Sequence, residues 1–359
     1  MYRIMQVCPA SVQKSMEGLD YFVVEGGRAI EDLLWVVTQL RLCKAEMDQM
    51  IKDLSECKQY LKHDFKIHLE EKTDIKDHCM TFSLNDKDLH FRNECCDHQH
   101  LSGCPKCLQL SDLLDEIKRR VQLLETENIE DLYDEILFKT SNAIDNIVEW
   151  KKHIVRSKNQ LRAKNHVISS LDGSKAIVML DWVVKFLPRK FRQGQTDWFG
   201  KRGVNWHIAV CLINGESGFQ AMTYVHLFPS PVAQDGFTTA SILCDIVSDL
   251  STLKPEITDV SFWSDNAGCY KSTLTLAMIY ANLGPILSSY NFSEAQDGKG
   301  ACDRKASHIK AEIKRYVNEG HNVLDANDMK KAYSHSLTSE VQRKIRVKKK
   351  KEAVKCLQL

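Results

Sequence analysis

Two aspartates carry the strongest chemical signal in this sequence. Asp181 and Asp265 each stand at the polar end of a short apolar run, AIVML over Ala176 to Leu180 and ITDVSFWS over Ile257 to Ser264. A carboxylate is costly to bury unless it is paired or bound to a cation. Hard cations such as Mg²⁺ take oxygen ligands, and a pair of them held roughly 3.5–4 Å apart activates an attacking water or hydroxyl while stabilising the leaving oxygen of a phosphodiester. A third acid is expected within YNFSEAQDGKGACDRKASHIK, where Glu294, Asp297 and Asp303 compete. Nearby, Asn266 in SDNAGCYKS is placed to orient a water or a metal-bound oxygen, and Gly268 lets the chain turn sharply into a helix. The sequence offers no convincing Ser, His and Asp triad and no Walker-type glycine loop.

A second constellation consists of Cys96, His98, His100, Cys104 and Cys107. The CPKC pair at Cys104 and Cys107 is a common zinc knuckle, and Cys96 with one histidine completes four ligands. His98 is preferred because it lies two residues from Cys96; His100 reaches equally well, and Cys95 or Cys79 are substitutes. Four protein ligands make a closed site, hence structural Zn²⁺ that supplies folding energy to a segment with little core of its own. Eight of the thirteen cysteines fall in the first 110 residues, clustered with histidines, which fits a metal site in a reducing compartment better than a disulfide framework.

Basic and aromatic residues alternate in PRKFRQGQTDWFGKRG. Lys190, Arg192, Lys201 and Arg202 with Phe191, Trp198 and Phe199 suit phosphate contacts and base stacking. The alternative is a solvated loop whose aromatics pack on the sheet. Lys299, Arg304, Lys305 and Lys310 would add positive charge beside the candidate acids; the alternative is an ordinary solvated helix face, which is the preferred reading for Lys310. His207 reads as a core or edge histidine rather than a ligand. The carboxy-terminal RKIRVKKKKEAVK reads as a nuclear-localisation or nucleic-acid-binding tail, with a solvated charge run as the alternative.

The elements that must position these groups follow from periodicity. At 359 residues and a net charge of +1, the chain has room for two domains, and any nucleic-acid affinity must come from local patches. No apolar run reaches the roughly 18–20 residues needed to span a bilayer, and MYRIMQVCPASVQKSM lacks the apolar core of a signal peptide, so a soluble intracellular protein is expected. Helical spacing runs from Ser11 to Glu70 and again from Ser111 to about Ser170, with a break near Asn128. Strand-like stretches at 176–184, 206–213 and 220–228 precede an alternation: helix 237–250, strand 260–264, helix 272–283, strand 286–292 and helix 301–317. This order predicts an α/β domain with a mixed five-stranded sheet and flanking helices, preceded by a helical zinc-binding region. The expected division is a helical zinc region over 1–110, a long helical connector over 111–172, the α/β domain over 173–330 and a basic tail over 331–359.

The strings MLDWVVKFLPRKFRQGQTDWFGKRGVNWHI, SDNAGCY and YNFSEAQDGKGACDRKASHIK resemble the catalytic core of DDE-type transposases of animal DNA transposons. The likeness extends more weakly upstream through CDHQHLSGCPKC to GLDYFVVEGG and fades after about Met329. It implies a ribonuclease H-like fold in which Asp181 is the first metal ligand and Asp265, 84 residues on, the second. The third acid of that fold stands on the helix after the fifth strand, which favours Asp303, then Glu294, then Asp297. The resemblance implies Mg²⁺ or Mn²⁺ as catalytic ions, DNA as the partner, a nuclear location and a homodimer for joint action on two transposon ends; no small-molecule substrate and no membrane are expected. The tail departs from the family pattern and no separate amino-terminal DNA-binding module is recognisable, as in a shortened gene product. The competing expectation is a catalytically inactive, domesticated zinc-containing protein that binds DNA or protein.

Overall fold

The computed structural model describes residues 21–84, 98–124, 130–215, 218–294, 300–335 and 343–347. The chain divides into two compact units, residues 1–159 and 160–359. Among the described residues no helix is long and apolar enough to cross a membrane.

The first unit is helical: α1 (Tyr21–Gln39), α2 (Lys44–Gln59), a π-helical turn (Tyr60–Asp64), α3 (Phe65–His68), α4 (Met80–Ser83), α5 (Pro105–Leu124) and the part of α6 (Glu130–Ser169) up to Asn159. Apolar residues recurring at helical spacing give one shared core, including Ile30, Leu33, Leu54, Leu61, Phe65, Ile117, Ile147 and Trp150, all fully buried. Gly26 marks where α1 comes closest to Trp150, since a Cβ there would lie 2.4 Å from the indole ring. The segment between α3 and α5 is held by isolated bridges, Glu70 with Cys79 and Ile75 with Ser102.

The second unit is an α/β layer structure. Its strands are β1 (Lys175–Phe186), β2 (Val204–Gly215), β3 (Gly218–Leu227), β4 (Asp259–Ser264), β5 (Leu287–Phe292) and β6 (Arg343–Val347), in spatial order β5-β4-β1-β2-β3-β6. The β1–β2 and β2–β3 pairs are antiparallel, whereas β1–β4, β4–β5 and β3–β6 are parallel. Helices α7 (Gly236–Leu253), α8 (Gly268–Lys271), α9 (Thr273–Leu283), α10 (Ala301–Asn318) and α11 (Ala326–His335) complete the unit. The mixed five-stranded sheet with flanking helices is as the sequence predicts, but β6, drawn from the basic tail, adds a sixth strand beside β3. Strand alternation sorts the core into two faces. Val178, Leu180, Ala209 and Cys211 pack with α7 and α9 residues such as Leu243, Ile246 and Ile279; Ile177, Met179, Val183, Ile208 and Val210 pack with Cys302, Ile309 and Ile313 of α10 and Met329 of α11. On the α7 face the only deeply buried acid–histidine contact among the described residues is His226 Nε2 with Asp245 Oδ2, at 2.9 Å.

The tight Gly26–Trp150 contact gives a test of the helical core. Gly26→Ala forces the indole to move, and Trp150→Ala leaves a cavity costing about 3–5 kcal/mol. Both variants are expected to unfold at lower denaturant concentration than the wild type; an unchanged midpoint for either would contradict this packing.

Candidate functional site

The parallel register of β1 and β4 ends with Met179 opposite Trp263. Two residues further on stand Asp181, still within β1, and Asp265, just past the end of β4, so the paired strands carry the two carboxylates along neighbouring paths. Asp181 lies inside β1 rather than at its end, which corrects the expectation from the sequence: the strand continues to Phe186 because Val183 and Phe186 resume the buried pattern beyond it. By alternation with Ile177, Met179 and Val183, Asp181 belongs to the face covered by α10. That helix is tied down at its first turn. Cys302, 5% exposed, donates its thiol to the carbonyl of Met179 at 3.3 Å. The next residue, Asp303, accepts the backbone N–H of Gly300 at 3.0 Å through Oδ2, a capping role that the helix dipole also favours.

The electrostatics report the convergence of the three acids. Burial pushes the Asp181 carboxyl up to about 7, helped by the negative charges of Asp303 and then Asp265, while Lys310 pulls it back. Burial also raises Asp265, against the backbone N–H of Ala267 that its Oδ1 accepts at 3.1 Å, and Asp303 raises it further. Asp265 remains open to solvent, which screens its share, so Asp181 is the group that feels the crowding most. The three carboxylates do not offer oxygens that all lie within 4.8 Å of one another. A pair of ions about 3.5–4 Å apart needs a wider spacing than one ion does. Glu294 sits beyond β5 with its backbone N–H bonded to Gln160 Oε1, and its charge is not among those acting on Asp181. Asp297 and Lys299 lie outside the described residues.

Sequence reasoning missed Tyr270. Its hydroxyl is 3.0 Å from His207 Nε2, burial raises its pKa strongly, and the charges of Asp181 and then Asp265 raise it further. Behind the acids it links them to a buried histidine whose own pKa burial drives well below the ordinary range. His207 is fully buried, as expected of a core histidine. Lys310 is exposed on α10, yet it acts on Asp181 and lies 5.9 Å from the Trp206 ring, so it is more than a solvated residue. Arg304 is exposed in the first turn of α10.

The loop after β1 presents mixed groups. Lys190 Nζ pairs with Asp197 Oδ1 at 2.7 Å, the Arg192 guanidinium lies 5.7 Å from the Phe191 ring centre, and Lys201 Nζ donates to the Pro188 carbonyl at 3.0 Å. Arg202 is exposed, as are Phe191 at 48% and Phe199 at 76%, so these two rings are not packed on the sheet. Trp198 closes a short 3₁₀ turn over Gln195–Trp198. The turn to β2 passes through Gly200 at φ +68°, a conformation that glycine adopts at no steric cost. Backbone bonds between Arg189 and Val323, together with Phe191 N–H to Asn322 Oδ1 at 3.0 Å, anchor the loop to the segment after α10.

In the first unit the cysteines and histidines separate into two clusters. Cys104 does not share a cluster with His98 and His100; it joins His68 and His78, which sequence spacing did not single out, and Cys107 adjoins this group through His78. Pro105 opens α5, so Cys104 stands at the cap and Cys107 in the first turn. His78 Nε2 lies 3.5 Å from Cys107 Sγ, and the Tyr60 hydroxyl touches His78 Nε2 at 3.1 Å, Cys107 Sγ at 3.2 Å and Cys104 Sγ at 3.5 Å. Burial pushes Cys107 up to about 11 and lowers His78. Burial also works against the Cys104 thiolate, but the Tyr60 hydroxyl and the backbone N–H groups of Cys107 and Lys106 outweigh it and lower its pKa. Two thiolates and two imidazoles are the donor set of a closed tetrahedral zinc site, whose S and N atoms stand about 3.6 Å apart. His98 and His100 gather instead around Cys79. Cys95 and Cys96 lie outside the described residues.

A family model described as a domain of unknown function, DUF8701, matches residues 137–357, more than half of the chain. The chain belongs to this family. The matched region takes in the whole sheet, the three carboxylates and the basic loop. No curated protein matches the chain.

The raised pKa of Asp181 fixes a pH dependence. Its folded value of about 7 lies above the ordinary carboxyl value of about 3.9, so its contribution to stability is fully present below about pH 4 and lost as pH rises through 7. In metal-free buffer, Asp181→Asn is therefore expected to stabilise the chain by up to roughly 3–4 kcal/mol at pH 8 and to change little at pH 4. Denaturant unfolding at the two pH values checks this; equal stability of variant and wild type at pH 8 would contradict the crowding of the three acids.

Proposed function

We propose that the carboxy-terminal unit is a ribonuclease H-like nuclease of the DDE-transposase type, which cuts or transfers DNA phosphodiesters with two Mg²⁺ or Mn²⁺ ions held by Asp181, Asp265 and Asp303. The observation that carries this reading is the half-buried Asp181 carboxyl, raised by burial and by two other acids from β4 and α10. An arrangement that is unfavourable when all three are ionised becomes favourable once cations neutralise it. Bound there, the ions would supply Lewis acidity and a lowered pKa for the attacking water or 3′-hydroxyl. The chain's own residues do the rest: Asp303 is held by the α10 cap, Asp265 by Ala267, and Tyr270 and His207 back the site on the far face of the sheet.

Arg192, Arg202, Arg304 and Lys310, with the exposed rings of Phe191 and Phe199, supply cations and stacking surfaces for a DNA strand on the unit that carries the acids. Lys190 and Lys201 are engaged with Asp197 and Pro188 and act mainly to shape the loop. Asp303 is the third ligand in this reading and Glu294 keeps second place. A nuclear location and a homodimer acting on paired ends belong to the same proposal. In the first unit, His68, His78, Cys104 and Cys107 hold a structural Zn²⁺, a ligand set that replaces the one drawn from sequence proximity.

Two experiments test these assignments. A labelled duplex carrying candidate transposon ends, incubated with Mg²⁺ or Mn²⁺, is expected to be cut by the wild type and at least about 10²-fold more slowly by Asp181→Ala and Asp265→Ala, the scale of losing one preorganised electrostatic contact. Absence of metal-dependent cutting by the folded, zinc-loaded chain would favour a catalytically inactive DNA- or protein-binding protein. For the structural site, chelation of zinc is expected to lower the melting temperature of the wild type by clearly more than that of Cys104→Ser/Cys107→Ser; a wild type indifferent to chelation would remove this zinc site.

A further inference from the structure

The cluster at Cys79, His98 and His100 is left over once the first zinc site is assigned. One ligand atom from each of the three lies within 4.8 Å of the others. Cys79 Sγ and His98 Nε2 are 3.7 Å apart, close to the about 3.6 Å that tetrahedral Zn–S and Zn–N bonds impose. The His98 and His100 rings stand 4.9 Å apart at 63°. One soft thiolate with two imidazoles suits Zn²⁺, and three protein ligands leave one position for an oxygen donor such as water.

The backbone brings these residues together from far apart in sequence. Bridges between Glu70 and Cys79 and between Ile75 and Ser102 lay the chain around 98–102 beside 70–79. An outer partner is in place as well. Asp74, held by the Ser102 hydroxyl, interacts electrostatically with His100, and metal-ligating histidines ordinarily have such carboxylate neighbours. His98 Nε2 also lies 3.0 Å from the Thr73 carbonyl, a contact that an ion bound through this nitrogen would displace.

One ion cannot serve both clusters. His78 belongs to the first and Cys79 to the second, and the ligand atoms of the two groups do not merge into one set within 4.8 Å. In the first centre Cys104 and His78 are buried, at 7% and 4% exposure, while His68 is exposed. In the second, Cys79 is buried while His98 and His100 are partly exposed, which leaves the cluster open to solvent.

We propose that Cys79, His98 and His100 hold a second zinc ion, separate from that at His68, His78, Cys104 and Cys107. The chain from Glu70 to Cys79 is then clamped from both sides by consecutive residues. This inference does not rest on the nuclease reading.

The test is the metal content of the full-length chain, purified with zinc and measured by mass spectrometry. The wild type is expected to carry two zinc ions, Cys104→Ser/Cys107→Ser one, and Cys79→Ser/His100→Ala one. A second readout guards against variants that fail to fold. Cobalt titrated into the wild type should fill two spectrally distinct sites, one with two thiolate charge-transfer contributions and one with a single contribution, and Cys79→Ser alone should remove the latter. A wild type that binds a single ion, or a Cys79→Ser/His100→Ala chain that still binds two, would overturn the proposal. Asp181→Ala should retain both ions whatever its effect on DNA cutting, so the two readings fail separately.

Discussion

Repulsion among carboxylates that the fold forces together is the constraint on which the carboxy-terminal unit turns. The β1–β4 register sets Asp181 beside Asp265, and the thiol of Cys302, bonded to the Met179 carbonyl, brings the first turn of α10 and its Asp303 over the same face. Burial alone would make Asp181 reluctant to ionise, and two nearby negative charges make it more so. A fold gains nothing in stability from this arrangement at neutral pH. In the reading proposed above, it gains a place where a doubly charged cation would replace protons, and that exchange is the physical core of the proposal.

The surroundings are consistent with a site kept rigid. Asp265 is fixed by Ala267 N–H and Asp303 by Gly300 N–H, so two of the three acids accept backbone bonds at the ends of their own turns. Tyr270 and His207 occupy the opposite face, fully buried and bonded to each other, and brace the strands from behind. The long basic loop is tied back to the segment after α10 but leaves Phe191, Phe199 and Arg202 exposed. Rigid acids and an exposed aromatic and basic loop on one unit are what a polyanionic, base-bearing substrate requires.

Much of this was legible in the sequence because it is local. Alternation and helical spacing located the five main strands and the helices between them to within a few residues, and SDNAGCY and GACDRK flagged the acids. Position within the strand was harder to read. Asp181 closes the apolar run AIVML and so looks like a strand-end residue, although the strand-like stretch reaches 184 and the strand itself continues to Phe186. The Cys/His residues group differently for another reason. Nearness in sequence placed Cys104 and Cys107 with His98, whereas isolated backbone bridges at Glu70–Cys79 and Ile75–Ser102 fold the segment that carries His78 and Cys79 back on itself, and Cys104 meets His68 and His78 while His98 meets Cys79. Such pairings leave no periodic trace. The same holds for β6, where RKIRV carries three cations and reads as tail, yet pairs in parallel with β3 through backbone bonds that are indifferent to side-chain charge.

The most direct test of the central claim is the position of metal ions in crystals soaked in Mn²⁺, located by anomalous diffraction. The account predicts manganese between Asp181, Asp265 and Asp303, with Glu294 outside the first coordination sphere, and loss of that density in Asp181→Asn. Crystals of the folded wild type at saturating Mn²⁺ with no density among these three carboxylates would contradict it.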